Sequence, residues 1–248
     1  MRTFTLQFVG SCVSWALLVN IAYSGDLDEP KAMIDRAIRA GGGAEKIGKF
    51  RAMSFKATAK FTDDGVDEVH ITGVLQDAEH FRVVQGAKFQ DIVVINGNKA
   101  WIKATGDAKA TELLVKDIGE LANFFHAVCM PDLLGALKQK PYTLTGHAED
   151  KVNGKPAVGL RVKHAKHEEV LLFFEKETGL PIKTKVSINS GTDAKRTYEF
   201  FFRDYKEFQG VKHFTKIEMH HDGKRMGEYH INELKLLEKT EPGAFDRP

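Results

Sequence analysis

After residue 50 the hydrophobic pattern changes period, and that change organises the chain. Before it, Met33, Ile34, Ala37 and Ile38 recur at helical spacing behind the acidic, proline-containing opening Asp28-Glu29-Pro30. Gly41-Gly42-Gly43 closes that helix, and a second short helix is expected over 44–50, with Ile47 and Phe50 inward. The same glycines precede a helix but lack the preceding strand and the lysine of a phosphate loop, so they read as a cap. Beyond residue 50 the period becomes two. Phe55, Ala57, Ala59 and Phe61 share one face of a strand, and Lys56, Thr58 and Lys60 share the other. Asp63-Asp64-Gly65 reads as a turn. Val69, Ile71, Gly73 and Leu75 alternate in a second strand, and Phe81 and Val83 mark a third. Residues 92–95 are apolar on both faces, so both faces should be covered. Asn96-Gly97 then returns the chain through Ala100, Trp101 and Ile102.

Between Thr111 and Val128 a helical stripe of Leu114, Ile118, Leu121 and Phe125 interrupts the strands. Pro131 ends it and opens a short helix carrying Leu133, Leu134 and Leu137. Strands are expected again over 142–148, 157–162, 170–174, 180–188, 195–205, 211–219 and 225–237. Asn153-Gly154, Thr178-Gly179, Gln209-Gly210 and Asp222-Gly223 are the turn signals between them. Connections this short imply antiparallel neighbours. The expected fold class is α+β, mostly antiparallel β: about a dozen strands that twist cannot leave flat, forming a strongly curved sheet with helices covering its concave face.

Composition adds bounds. The chain of 248 residues is 42% hydrophobic and 28% charged, a balance that excludes wholesale disorder and a purely membrane-embedded chain. Residues 1–24 have the layout of a secretory signal peptide: Arg2, an apolar run over 8–21, and the small residues Ala22 and Ser24 before Gly25. Cleavage after Ser24 would leave a single domain over 25–248, exported to the periplasm or beyond the cell. Most of the apolar run follows Cys12, which argues against a lipid-anchor box. The remaining cysteine, Cys129, lies in an apolar stretch, forms no intramolecular disulfide and reads as an inert buried residue. With one arginine lost, 35 basic face 34 acidic residues, so nucleic acid is not an expected partner.

Catalytic and metal signatures are sparse. There is no G-x-S-x-G, and of the serines beyond residue 24 Ser54 and Ser187 fall on strands. His220 and His221 should face opposite sides of a strand, so their rings cannot share one ion. His164 and His167 flank a turn at Ala165-Lys166 without a supporting ligand pattern, and the segment from Asp63 to Asp67 lacks the closing glutamate of a calcium loop. No metal and no cofactor are expected.

Three stretches carry a family resemblance: the opening helix with its glycines (IDRAIRAGGGAEKIGKF), the turn E-x-x-T-G-L-P over 175–181, and F-x-D-Y-x-x-x-x-G-V-K over 202–212, leading towards a closing strand near Phe245. Together with the export signal and the run of hairpins they make the chain similar to the LolA/LolB-like periplasmic lipoprotein carriers and the outer-membrane lipoprotein-sorting-protein-like members of that family. The resemblance spans the whole chain after the signal. It implies an incomplete β-barrel with helices as a lid around an apolar cavity for acyl chains, without catalysis or metal. No arginine here matches the carrier's cavity arginine.

The function this implies is an exported, non-enzymatic carrier for lipid or the acyl chains of a lipoprotein, with envelope or outer-membrane components as further partners. The cavity candidates are Trp101, Phe125, Phe173, Phe200, Phe202 and Met219, although ordinary core packing is the default for any one ring. Phe200, Phe201 and Phe202 are consecutive, so Phe201 faces away from its neighbours and needs a cover of its own. Two alternatives stay open: a secreted hydrolase using the same cavity, and an envelope scaffold without ligand.

Overall fold

The computed structural model describes residues 29–62, 68–86, 90–189 and 195–248. The proposed signal segment, the Asp63-Asp64-Gly65 turn and Ser190 lie outside them. Two helices come first, α1 (Pro30–Ala40) and α2 (Ala44–Lys49). Strands β1 (Ala52–Phe61), β2 (Val69–Asp77), β3 (His80–Gly86), β4 (Asp91–Asn96), β5 (Lys99–Lys103) and the two-residue β6 (Thr111–Glu112) follow. Helices α3 (Val115–Cys129) and α4 (Leu134–Leu137), joined by a 3-10 turn at Met130–Asp132, separate them from the second half. That half contains β7 (Thr143–Val152), β8 (Lys155–His164), β9 (His167–Glu175), β10 (Pro181–Asn189), β11 (Lys195–Arg203), β12 (Lys206–Phe208), β13 (Val211–His213), β14 (Lys216–His221) and β15 (Lys224–Leu237).

Thirteen of these strands form one antiparallel sheet in the order β6-β5-β4-β3-β2-β1-β15-β14-β11-β10-β9-β8-β7, curved and not closed into a barrel. The fold class is the expected one. The first strand pairs with the last, Ala52 opposite Leu237 through to Phe61 opposite Gly227, with one register shift at Lys56 and Ala57. Each half is a meander around that seam. Three of the expected turns, at Asn153-Gly154, Gln209-Gly210 and Asp222-Gly223, have positive φ at both central residues, the backbone that suits a two-residue hairpin.

The concave face is the core. In the second half it holds Leu160, Val162, Val170, Leu172, Phe174, Val186, Ile188, Phe200, Phe202 and Met219, packed against α1 and α4. In the first half it holds Ala57, Ala59, Ile71, Phe81, Val83 and Ile95, packed against α3. The convex face carries two smaller clusters. Val94, Trp101 and Ala110 are covered by Phe245 of the C-terminal segment, which Asn96 Nδ2 ties down through the Phe245 carbonyl at 3.2 Å. Both faces of β4 are covered, as its apolar sequence required.

Four sequence expectations change. Leu114 is the residue before α3 and is 63% exposed, because residues 111–112 form an edge strand and the helix starts later. The expected strand over 211–219 is two strands, broken where Phe214 turns into the core and Thr215 bonds back to the Asp204 carbonyl. Lys206–Phe208 pairs with Val211–His213 as a separate two-stranded ribbon. Phe245 lies in a turn and not in a strand, and it acts by packing.

The family-like motifs are docking devices. The Thr178-Gly179 hairpin lies under Arg36 of α1, whose guanidinium donates to the carbonyls of Lys176 and Glu177. Gly42 adopts φ +128° against the Gly210 carbonyl, and a Cβ there would sit 2.5 Å from that oxygen. Lys212 N–H also donates to the Gly41 carbonyl at 2.8 Å. The end of α1 is thus pinned to the ribbon by backbone contact. Gly42→Ala should therefore destabilise the fold by about 2–3 kcal/mol, from strain plus displaced backbone. Urea unfolding checks this; a variant within about 0.5 kcal/mol of the parent refutes the close-approach reading.

Candidate functional site

Helix α3 crosses the concave face. Its polar anchors lie in the second half of the sheet. The buried Thr184 hydroxyl of β10 donates to the Ala127 carbonyl at 2.9 Å, and Glu168 N–H of β9 donates to Asn123 Oδ1 at 2.7 Å. Over the first half α3 meets the sheet through Phe125, which stands on Phe81 with centroids 3.8 Å apart, while the neighbouring Phe124 meets Phe200 of the second half edge-on at 5.0 Å. Beside these contacts the apolar faces do not fill the space. A chamber of about 270 Å³ remains between Leu121, Phe124, Phe125 and Val128 of α3 and a sheet wall that includes Phe55, Ala57, Ile71, Val83, Tyr229 and Ile231. Its origin is visible in β1. Ala57 and Ala59 put small side chains on the concave face where a sheet–helix core would carry branched ones, and Gly73 of β2 leaves room for the Phe55 ring. A larger, shallow groove of about 440 Å³ runs over the outer face between Lys56, Arg82, Glu233 and Lys235.

Of the six residues expected at a cavity, Phe125 and Phe200 line the chamber. Phe202 and Met219 are buried in the concave core of the second half, away from its wall. Trp101 and Phe173 lie on the convex face: Trp101 under Phe245, and Phe173 in a cluster with Val152, Ala157 and Phe201. Strand alternation groups residues by face but does not say which face is concave. Phe201 has the cover it needed. It packs in the Phe173 cluster, with Lys183 Nζ 5.0 Å above its ring and the His220 ring 4.9 Å away.

Among the described residues no group of His, Cys, Asp and Glu is arranged to hold a metal ion. His220 and His221 face opposite sides, His220 on Phe201 and His221 stacked on Tyr198 at 5.0 Å. His164 and His167 belong to a cluster that sequence did not reveal, because its third member, His126, comes from α3. The His126 ring stacks on His167 at 4.3 Å, and His164 lies 4.7 Å from His167. Tyr142 is 4.8 Å from His164, and its hydroxyl is 3.4 Å from His126 Nε2. Glu79, in the β2–β3 turn, faces the group 3.8 Å from His167 Nε2 and 3.1 Å from Lys166 Nζ. Burial, reinforced by the fields of His167 and His164, pushes His126 down to about 3. Burial and His164, opposed by Glu79 and Asp77, push His167 down to about 4, and burial also lowers His164.

A second polar group sits at the chamber's corner. His213 is buried, with Nδ1 2.6 Å from the Phe214 carbonyl and Nε2 3.0 Å from Asp132 Oδ1. Burial alone would lower its pKa, but Asp132 and the Phe214 carbonyl outweigh burial and raise it. Cys129 lies beside the pair, and burial pushes its thiol well up, so it stays protonated. Burial also pushes the Tyr229 phenol in the chamber wall up to about 12.

No protein-family model and no curated protein matches the chain. Solved structures do. A LolA superfamily protein from Nitrosomonas europaea superposes with a TM-score of 0.57 at 11% identity, covering 88% of this chain and 97% of that one. A putative outer membrane lipoprotein-sorting protein domain from Vibrio parahaemolyticus gives 0.54 at 10% identity, covering 82% and 93%. A DUF1329 family protein from Desulfovibrio piger gives 0.54 at 12%, covering 88% and 98%. The chain therefore has a LolA-like fold.

The histidine cluster sets an acid limit. The native state holds these rings neutral, whereas the unfolded chain protonates them near pH 6.5. Their contribution is complete above that pH and is lost as pH falls from about 6.5 through 4 towards 3. His213, with a raised pKa, works in the opposite direction and loses its contribution as pH rises. In thermal melts from pH 7 to 4, His126→Phe should lose stability less steeply than the parent. Parallel curves would show that the cluster does not govern acid sensitivity.

Proposed function

We propose that the protein is an exported, non-enzymatic carrier that holds one hydrocarbon chain, of a lipid or of an acylated lipoprotein, beneath α3. The carrying observation is the apolar chamber of about 270 Å³ between α3 and the first half of the sheet. An engineered apolar cavity of about 150 Å³ stays dry and takes benzene, so a space nearly twice as large has room for a hydrocarbon tail. Each methylene moved into it from water stabilises the complex by about 0.8 kcal/mol. The solved structures of this fold support the reading, since one is described as an outer membrane lipoprotein-sorting protein domain. Export rests on the layout of residues 1–24 and leads to the periplasm, with residues 25–248 acting as one domain. Transfer of cargo to envelope or outer-membrane components belongs to the same reading. Among the described residues no helix is long and apolar enough to cross a membrane.

Native mass spectrometry of the purified protein should find co-purified lipid. After delipidation the protein should bind an environment-sensitive naphthylamine probe. Ala57→Phe, which puts a ring into the chamber at the expense of several ligand methylenes, should weaken that probe at least about tenfold while the protein stays folded. Undiminished binding by a folded Ala57→Phe protein would place the ligand elsewhere and overturn the reading.

A further inference from the structure

The chamber has one polar corner. Asp132 and His213 border it, and they also border a smaller pocket of about 110 Å³ that lies alongside. Cys129, Met53, Leu75 and Phe214 are the other shared walls. The smaller pocket is also bordered by Tyr205 and by the exposed side chains of Arg51, Gln76 and Lys212, so it lies between the chamber's polar corner and the surface. Apart from Gln85 and the Tyr229 hydroxyl, the remaining chamber wall is apolar. The two adjacent spaces together have the polarity of an amphiphile, with Asp132 and His213 where tail would meet headgroup.

The chemistry of the pair narrows the headgroup. His213 Nδ1 faces a carbonyl oxygen, so it carries hydrogen and donates. Nε2 faces the Asp132 carboxylate at 3.0 Å, and an acceptor beside each nitrogen favours the doubly protonated ring, in which Nε2 also carries a hydrogen to donate. Although Nε2 is 3.0 Å from Oδ1, it makes no well-directed hydrogen bond to it, so the donor has capacity to spare. Asp132 retains further acceptor positions, and its side chain is 19% exposed. A donor and an acceptor about 3 Å apart complement a hydroxyl, which has a lone pair for Nε2–H and a hydrogen for the carboxylate. A fatty-acid carboxylate would bring a second negative charge against Asp132 in a poorly solvated site. A quaternary ammonium would offer nothing to Nε2–H.

We infer that the cavity takes a single-chain amphiphile with a neutral, hydroxyl-bearing headgroup of the monoacylglycerol type, its hydroxyl seated on Asp132 and His213 and its tail under α3. This rests on the chamber reading and narrows it. The tail length follows from volume: scaling from the six carbons of benzene in about 150 Å³ to the chamber's 270 Å³ gives about eleven carbons.

The test is displacement of the naphthylamine probe from delipidated protein at pH 7.5 by three twelve-carbon ligands below their micelle concentrations: 1-monolauroylglycerol, laurate and dodecyltrimethylammonium. Monolauroylglycerol should bind about tenfold or more tighter than either ion. Asp132→Asn, checked for folding by circular dichroism, should weaken monolauroylglycerol and strengthen laurate, bringing the two within about threefold. His213→Gln should weaken monolauroylglycerol by a similar factor. Should the variants fail to fold, the order of the three ligands on the parent protein still decides. Laurate binding as tightly as the glyceride, or an unchanged ratio in folded Asp132→Asn, overturns the headgroup assignment and leaves the chamber standing. Failure of all three ligands to displace the probe overturns both.

Discussion

The pairing of the first strand with the last is the contact on which the rest of the structure depends. Ten residues of β1 find partners in β15, and through them two meanders become one thirteen-stranded sheet. The approach is tight at its end, where a Cβ on Gly227 would lie 2.5 Å from the Lys60 carbonyl. Without this seam each half would be a smaller sheet with a free apolar face and an unpaired inner edge. With it, accumulated twist brings distant hairpins together. Glu79 at the β2–β3 turn reaches Lys166 at the β8–β9 turn across the concavity. An exposed ion pair of this kind contributes little energy. Its value is as a measure of how far the sheet has curled.

Curvature makes the hollow, and the composition of β1 keeps it open. Beneath α3 the concave face of β1 carries Ala57 and Ala59, of which Ala57 lines the chamber, while the second half uses Leu160, Leu172, Phe174, Phe200 and Phe202. The two halves therefore differ in kind: one is packed solid against α1 and α4, and the other is spanned by rings. The polar bonds of α3 to β9 and β10 follow the same division, since they fix the helix on the solid side. On the other side it is held by apolar contacts such as Phe125 on Phe81, and dispersion contacts reform readily around an apolar guest. The helix is thus hinged energetically towards the packed half, and a tail entering beneath it breaks no hydrogen bond of the helix.

Much of this was legible in the sequence because alternation and turn chemistry are local. The strand faces of 55–61, the glycine-bearing turns, the doubly covered 92–95 segment and the opening helix all follow from residues close together. The wall of the chamber did not follow, because it depends on strand order. Alternation put Phe55 and Ala57 on one face, but only the β1–β15 pairing makes that face concave. Trp101 and Phe173 were attractive by size, yet they belong to the convex face, where the C-terminal segment covers the one and the Lys183 ammonium lies over the other. The histidine cluster escaped for the same reason: His126 is 38 residues from the turn holding His164 and His167, and the contact exists only once α3 crosses the sheet. Small residues in β1 were the one available signal for a cavity, since two alanines on the buried face of a strand leave volume that something must occupy.

The polar groups that remain inside are informative because burial is costly for them. An imidazole whose partners do not offset burial responds by staying neutral, and His126 and His167 do so. His213 takes the opposite course, because Asp132 and a carbonyl oxygen face its two nitrogens. The downward shifts of His126 and His167 and the upward shift of His213 show that the local partner, and not depth alone, sets the direction. Beside His213, burial holds the Cys129 thiol in its protonated form, so this corner offers a visiting molecule hydrogen bonds but no activated nucleophile. On the carrier reading, the sheet supplies the volume for a tail, and the Asp132–His213 pair at its polar corner sets which end of a ligand stays out.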